Sequence, residues 1–277
     1  MHVRLYMGSM RRFIPFLKSP PLIPVVRLSG MIAASGRFGA QVLSDQAVAP
    51  LLERAFRRSK PAAVALVVNS PGGSPVQSAL IAGRIRRLAE ERGLHVHAFV
   101  EDVAASGGYY IASAADSIWL DSASITGSIG VISAGFGFPE LIARYGVERR
   151  VYTAGRSKGM LDPFLPEKEE DVTRLRALQD RVHASFSAHG RARRGDRLDA
   201  SADLFTGEVW VGQEAVALGL ADGIAHLVPK MKELYGPDVR LAEYGPRRSL
   251  LPRLGPTLAG AVFGVAEERA LWARYGL

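Results

Sequence analysis

Three short stretches hold residue types suited to acyl-transfer chemistry. Asn69-Ser70-Pro71-Gly72-Gly73 closes a valine-rich apolar run, Asp102 to Tyr110 sets Ser106 among alanines and glycines, and Thr153 to Met160 contains Lys158. Pro71 fixes its own backbone, while two glycines accept conformations closed to other residues. Backbone N–H groups at such a corner are able to turn into a cleft and hold a developing oxyanion. An ordinary strand-to-helix turn has the same composition, so spacing alone leaves both readings open. Ser106 stands where a helix begins, and a serine there commonly caps the helix. A nucleophile profits from the same place: its small neighbours leave room for a substrate chain, and the helix dipole favours negative charge. The Gly107 N–H is also placed to serve an oxyanion.

A serine nucleophile needs a base. The histidines are His2, His95, His97, His183, His189 and His226, and none has an evident catalytic setting. His95 and His97 alternate on one strand and face one side of it, too near its start to serve Ser106. Lysine is the other candidate. Only six of the thirty-five basic residues are lysines; arginine does not give up its proton, whereas a desolvated lysine does. Taken alone, Lys158 reads as a solvated loop residue.

The elements that would position these residues alternate. Leu22–Leu28 and Ala62–Val68 read as strands, the second apolar throughout as in a sheet buried on both faces. Helices follow at Ser44–Arg58 and Val76–Arg92, then a strand at His95–Val100, a short helix at Ser106–Ala115 and a strand at Ser117–Leu120. Gly127–Ser133 and Val147–Ala154 read as further strands flanking a helix at Pro139–Tyr145. A long charged helix covers Glu167–Arg193, with shorter ones from Gly212, at Pro229–Tyr235 and at the C-terminus. The order implies an α/β domain with right-handed crossovers. The sequence divides into an N-terminal extension (1–21), a catalytic domain (22–244) and a linker with a C-terminal helix (245–277).

Composition narrows the rest. The 277 residues suffice for one large domain, and the absence of cysteine excludes disulfides and thiol chemistry. No His-Glu-x-x-His stretch or ligand cluster points to a metal, and no cofactor is expected. The net charge of +8 comes from scattered basic pairs without interleaved aromatics, which argues against nucleic acid. No apolar run is long enough to span a bilayer. Location is left open between the cytoplasm and a peripheral membrane contact through basic and amphipathic surface; the small apolar stretch Thr257–Ala266 reads as a docking or interfacial helix, with packing on its own domain or a neighbouring subunit the favoured form.

Four ordered motifs then carry a resemblance: Asn-Ser-Pro-Gly-Gly at 69–73, Ala-Ala-Ser-Gly-Gly-Tyr-Tyr at 104–110, Ile-Thr-Gly-Ser-Ile-Gly-Val at 125–131 and Ala-Gly-Arg-Ser-Lys at 154–158. Over roughly Pro24 to Val228 the chain resembles a short form of the signal peptide peptidase A family, within the Clp protease and crotonase superfamily. That resemblance implies a crotonase/Clp protease-like domain built from repeated β-β-α units. It also implies a serine endopeptidase with Ser106 as nucleophile, Lys158 as general base, Gly73 and Gly107 as oxyanion donors, and Ser128 orienting the lysine. Apolar peptides such as signal-peptide remnants are the implied substrates. The family's paired serine and lysine come from adjacent subunits or from two halves of a longer chain, so a homo-oligomer with shared sites is expected. A crotonase-type acyl-CoA enzyme would share the fold and the oxyanion corner but needs a carboxylate acid/base, for which Glu101 and Asp102 are the nearest. A non-catalytic oligomeric scaffold at a membrane is the other alternative.

Overall fold

Alternating apolar residues decide which face of each strand is covered. In β1 (Leu22–Ser29), Val26 and Leu28 point to one side and Ile23 and Val25 to the other; β2 (Val64–Ser70) repeats the division with Val64, Leu66 and Val68 against Ala65 and Val67. The first face packs under α1 (Asp45–Arg57) and α2 (Pro75–Arg92). The second, smaller core gathers around Phe99 and Met231. This computed structural model describes residues 19–35, 42–58, 60–155, 157–245, 269 and 272–277. The N-terminal run and the helix expected at Thr257–Ala266 lie outside them, as does all of the 245–256 linker except Gly245.

β3 (Val96–Ala105) is the axis of the sheet. It pairs in parallel with β2 and passes its other edge to two neighbours in turn: β4 (Ser117–Leu120) along His97–Phe99, then β5 (Ile125–Gly127) along Val103–Ala105. Between β3 and β4 the short helix α3 (Gly107–Ala112) crosses over. The path across the sheet is completed by β6 (Val209–Val211), β7 (Gly223–Ile224) and β8 (Arg240–Tyr244); it reads β6-β5-β3-β2-β1-β8, with β4 and β7 alongside. Only β6 runs antiparallel to its partner. The expected α/β class is therefore the observed fold.

Four helices complete the described chain: α4 (Pro139–Arg144), α5 (Glu169–Arg194), α6 (Gly212–Ala217) and α7 (Leu227–Tyr235). No helix among the described residues is long and apolar enough to cross a membrane.

Three strands differ from the sequence expectation. β3 does not stop at Val100 but runs on to Ala105. The strand expected over Gly127–Ser133 ends at Gly127, and Val147–Ala154 forms no strand. Both departures fall on residues whose alternation has no neighbouring strand among the described residues to pair with. An apolar pattern makes a strand only where ladder bonds and burial accompany it. From residues 132 to 159 every described residue except Pro139 and Ile142 is exposed, including Phe136 (82%) and Tyr152 (92%).

Candidate active site

The long β3 reaches the site by way of an irregularity. Val68 lies opposite Val100 but Ser70 lies opposite Ala104, so two extra residues are accommodated in β3 around Glu101 and Asp102. Asn69 closes the bulge: its amide donates to Asp102 Oδ2 at 2.6 Å and its Oδ1 accepts from the Val103 N–H at 3.2 Å. Ser70 secures the next turn, donating to the Gly30 carbonyl at 2.7 Å and accepting from the Gly72 N–H at 3.2 Å. In sequence, Asn69 and Ser70 look like no more than part of a glycine turn. Their work is to fix the offset that carries Ser106 to the end of the sheet. Polar side chains placed just ahead of a glycine pair are the signal that points to it.

Two glycine pairs meet at that end. Gly73, at φ +139°, lies so close to Ile32 that a Cβ would overlap its carbonyl oxygen, and a Cβ on Gly108 would come within 2.5 Å of the Ser70 carbonyl oxygen. Only residues without side chains allow these backbones to approach. Ile32 locks the corner by donating to the Gly72 carbonyl at 2.8 Å and accepting from the Ser74 N–H at 2.7 Å.

Ser106 sits directly before α3 with φ +51° and ψ −121°, a conformation that costs a non-glycine residue about 1–3 kcal/mol. Its hydroxyl does not cap the helix and makes no hydrogen bond among the described residues. The capping role common for a serine at this position is therefore not the one it plays. Its own N–H is engaged, donating to the Gly127 carbonyl at 2.8 Å, and the Gly72 N–H is held by Ser70. The Gly73 and Gly107 N–H groups have no acceptor among the described residues. These free donors lie close together, since a Cβ on Gly107 would be 3.4 Å from the Gly73 nitrogen. The strain at Ser106 is maintained by the surrounding bonds and aims an unpartnered hydroxyl beside two unpartnered N–H groups.

All three groups open into a cavity of about 610 Å³, as does Ser128. Ser128 also has positive φ, +51°, and donates its N–H to the Glu208 carbonyl at 2.6 Å. The remaining walls are largely apolar, with Val76 and Ala79 from α2, Ile132 beyond β5, and Val182 and Phe186 from α5. Among the described residues no histidine and no carboxylate lines this cavity. The crotonase alternative thereby loses its acid/base: Glu101 pairs with Arg27 at 2.8 Å, Asp102 with Asn69, and both line a different cavity of about 580 Å³.

Lys158 is not brought to Ser106 within the chain. It lies exposed in the 132–159 stretch and does not line the cavity. Ser106, both N–H donors and Ser128 converge, and the expected base does not join them.

The described histidines nearest the sheet and α5 are occupied elsewhere. His97 is enclosed beside Tyr235, whose hydroxyl is 2.9 Å from its Nε2, and burial pushes its imidazole down to about 4. His189 stacks flat on Tyr110 with ring centroids 3.8 Å apart; its Nε2 donates to the Tyr110 carbonyl at 3.1 Å, and burial again holds it at about 4. Tyr110 lines the cavity and is one turn from Ser106, whose carbonyl accepts its N–H at 3.0 Å. Arg193, one turn beyond His189 on α5, donates to the carbonyls of Ser113, Ala114 and Ala115 at 3.1–3.3 Å. The far end of the Ser106 helix is thus pinned by α5, a function that the charged pattern of that helix does not disclose.

Comparison with known proteins places this arrangement. Residues 89–235 match the model of Peptidase family S49. A protein of Brucella melitensis carrying the name Na(+)/H(+) antiporter NhaA is 48% identical over 288 residues, covering 98% of this chain and 39% of that protein. The chloroplastic serine protease SPPA of Arabidopsis thaliana is 29% identical over 256 residues, covering 88% of this chain and 37% of that one. The chain thus spans about two fifths of the length of these relatives. Among solved structures, the 1510-N membrane-bound stomatin-specific protease superposes with a TM-score of 0.53 at 15% identity, covering 83% of this chain and all of that one, a likeness of fold. With the family model covering more than half of its length, the chain belongs to Peptidase family S49, among the serine peptidases of the signal peptide peptidase A type.

Proposed function

We propose that the chain is a serine endopeptidase acting on apolar peptides, signal-peptide remnants among them, with Ser106 as nucleophile and the partner subunit's Lys158 as general base. The reading is carried by the Ser106 hydroxyl, left without a partner beside the unused N–H groups of Gly73 and Gly107 in a cavity without histidine or carboxylate among the described residues. Such a cavity holds a nucleophile and an oxyanion site but no base of its own. Lys158 is presented on an exposed stretch rich in large apolar side chains, as a segment seated on another copy would be.

In the proposed reaction, docking withdraws Lys158 from water and so favours its uncharged form. Its amine takes the proton of Ser106 as Oγ attacks the scissile carbonyl, and the oxyanion accepts from Gly73 and Gly107. Collapse expels the amine of the leaving peptide, which receives the proton from Lys158. Water, deprotonated by the same lysine, then releases the acyl group. Ser128 orients the ammonium when the lysine is charged. Small neighbours around Ser106 and the apolar walls suit small or apolar side chains next to the cleaved bond.

A mixing experiment tests both the dyad and its sharing. Ser106→Ala and Lys158→Ala should each abolish peptide cleavage. Co-assembled from equal amounts, they should recover about a quarter of the wild-type rate, because a quarter of shared sites then join an intact serine to an intact lysine. Full activity in either single variant would overturn the dyad, and inactivity of verified mixed assemblies would overturn its division between subunits.

A further inference from the structure

The cavity that holds Ser106 is apolar over most of its wall, and the charged residues that line it among those described are Arg181 and Arg274, with no Asp or Glu opposite. Arg181 projects from α5 on the face that also supplies Val182, Ser185 and Phe186 to the cavity. Two other α5 arginines are neutralised, Arg174 by Asp171 at 3.2 Å and Glu170 at 3.4 Å and Arg194 by Asp222 at 2.9 Å, whereas Arg176 and Arg191 also make no ion pair among the described residues but do not line the cavity. Arg181 makes no ion pair or hydrogen bond among the described residues. Its helical neighbours three and four positions away are Ala177, Leu178, Ala184 and Ser185, so no carboxylate of its own helix is within reach.

An unpaired guanidinium at the wall of an apolar cleft has a defined chemical preference. It presents a planar fork of donors that matches a carboxylate with two hydrogen bonds. Arg181 is itself exposed, so its charge is open to a ligand, and a peptide filling the apolar cavity beside it would withdraw part of the pair from water and strengthen the attraction.

We propose that Arg181 is a specificity-determining residue that selects peptides carrying a carboxylate on the α5 side of the cleft. The inference rests on the peptidase reading for its meaning but concerns binding, which is measurable without turnover. The carboxylate has two sources, the free C-terminus of a short peptide or an Asp or Glu side chain. An apolar peptide released by an earlier endoproteolytic cut carries the first.

The test uses full-length protein with Ser106→Ala, which holds peptides without cutting them, and a fluorescent apolar peptide in three forms: free C-terminal carboxylate, C-terminal amide, and amide with one internal Glu. Fluorescence anisotropy should give about tenfold tighter binding to one carboxylate-bearing form than to the neutral amide, as for a partly desolvated charge-assisted pair. Whichever form gains identifies the source. The preference should fall to near unity in Ser106→Ala/Arg181→Gln, persist in part in Ser106→Ala/Arg181→Lys, and weaken with added salt. Equal binding of all three forms would overturn the proposal, as would a preference that survives Arg181→Gln and vanishes in Arg274→Gln. Parallel cleavage assays on protein with Ser106 intact separate the two readings. Selective binding without any Ser106-dependent cleavage would sink the peptidase reading alone, and Ser106-dependent cleavage without selectivity would sink this one alone.

Discussion

The glycine corner around Ser106 and the stretch that carries Lys158 are built in opposite ways. At the corner, Ser70, Ile32, Gly127 and Asn69 each commit their hydrogen bonds to holding neighbouring backbone in place, and Ala104, Ala105, Gly107 and Gly108 are buried. Along the described residues of 132–159 the backbone outside α4 forms no helix or strand, large apolar side chains face outward, and the ion pairs, such as Arg149 with Asp162 and Arg150 with Glu148, are local. Strain at Ser106 is tolerated because its surroundings over-determine it. Among the described residues nothing comparable holds Lys158, whose backbone N–H donates to the Gly155 carbonyl at 3.1 Å. In the proposed reading, a nucleophile and its oxyanion site depend on small displacements and are assembled inside one chain, whereas a base carried on an exposed segment acquires its position from whatever covers that segment.

Substitutions on the two sides should therefore fail differently. The largest effect is expected at the corner: Gly73→Ala forces a methyl group into the Ile32 carbonyl and moves one oxyanion donor. It should lower kcat about 100-fold or more, with a lower midpoint of thermal unfolding. Unchanged kcat would remove Gly73 from the oxyanion site.

On the exposed stretch, Phe136→Ser combined with Tyr152→Ser should leave protomer stability within about 0.5 kcal/mol while weakening self-association. Activity should then depend more steeply on protein concentration, with a loss of about tenfold at concentrations where the parent is assembled. Sedimentation velocity alongside peptide cleavage reads both. Equal assembly and equal activity would show that this apolar surface is not what seats Lys158.

A smaller change is expected where α5 meets α3. Arg193→Ala leaves the carbonyls of Ser113, Ala114 and Ala115 without their donor, and should cost about 2 kcal/mol in urea unfolding. Arg193→Lys should restore part of that loss. An unaltered unfolding midpoint would mean that the end of α3 is held by its core contacts alone.

The least pronounced effect is on pH. Burial holds His97 and His189 at about 4, below their unfolded value, so the folded state takes up these protons less readily than the unfolded state. Their contribution is intact above about 6.5, the ordinary histidine value, and is progressively lost as pH falls toward 4. The thermal midpoint should decline across that window, and His189→Gln should flatten part of the decline. A wild-type midpoint that does not move between pH 7 and pH 4.5 would contradict this.

Much of the corner is legible in the amino-acid sequence. Glycine pairs permit close backbone approach and a serine among alanines and glycines after a strand suits a nucleophile as well as a helix cap, so Ser106, Gly73 and Gly107 are candidates by type and spacing, and the four ordered motifs choose between those readings. Lys158 does not, because a lysine in a loop looks the same whether it is solvated or awaiting burial; only the four ordered motifs single it out. The extension of β3 past Val100 is hidden because Glu101 and Asp102 look like a strand end, whereas Asn69 bonds them into a bulge. Val147–Ala154 misleads for the converse reason: its pattern suits a strand, and the described residues provide no edge paired with it.

The sequence by itself determined the raw material of the sheet, the alternation that gives each strand two covered faces, and the residues able to form a nucleophile and an oxyanion site, because those depend on side-chain type and short-range spacing. Tertiary structure alone decided that Ser106 adopts positive φ, that the Gly73 and Gly107 N–H groups are left unused while those of Gly72 and Ser106 are not, and that Lys158 lies apart from them. Each of these follows from which backbone atoms, distant along the chain, come within hydrogen-bonding distance, and no local pattern of residues encodes that.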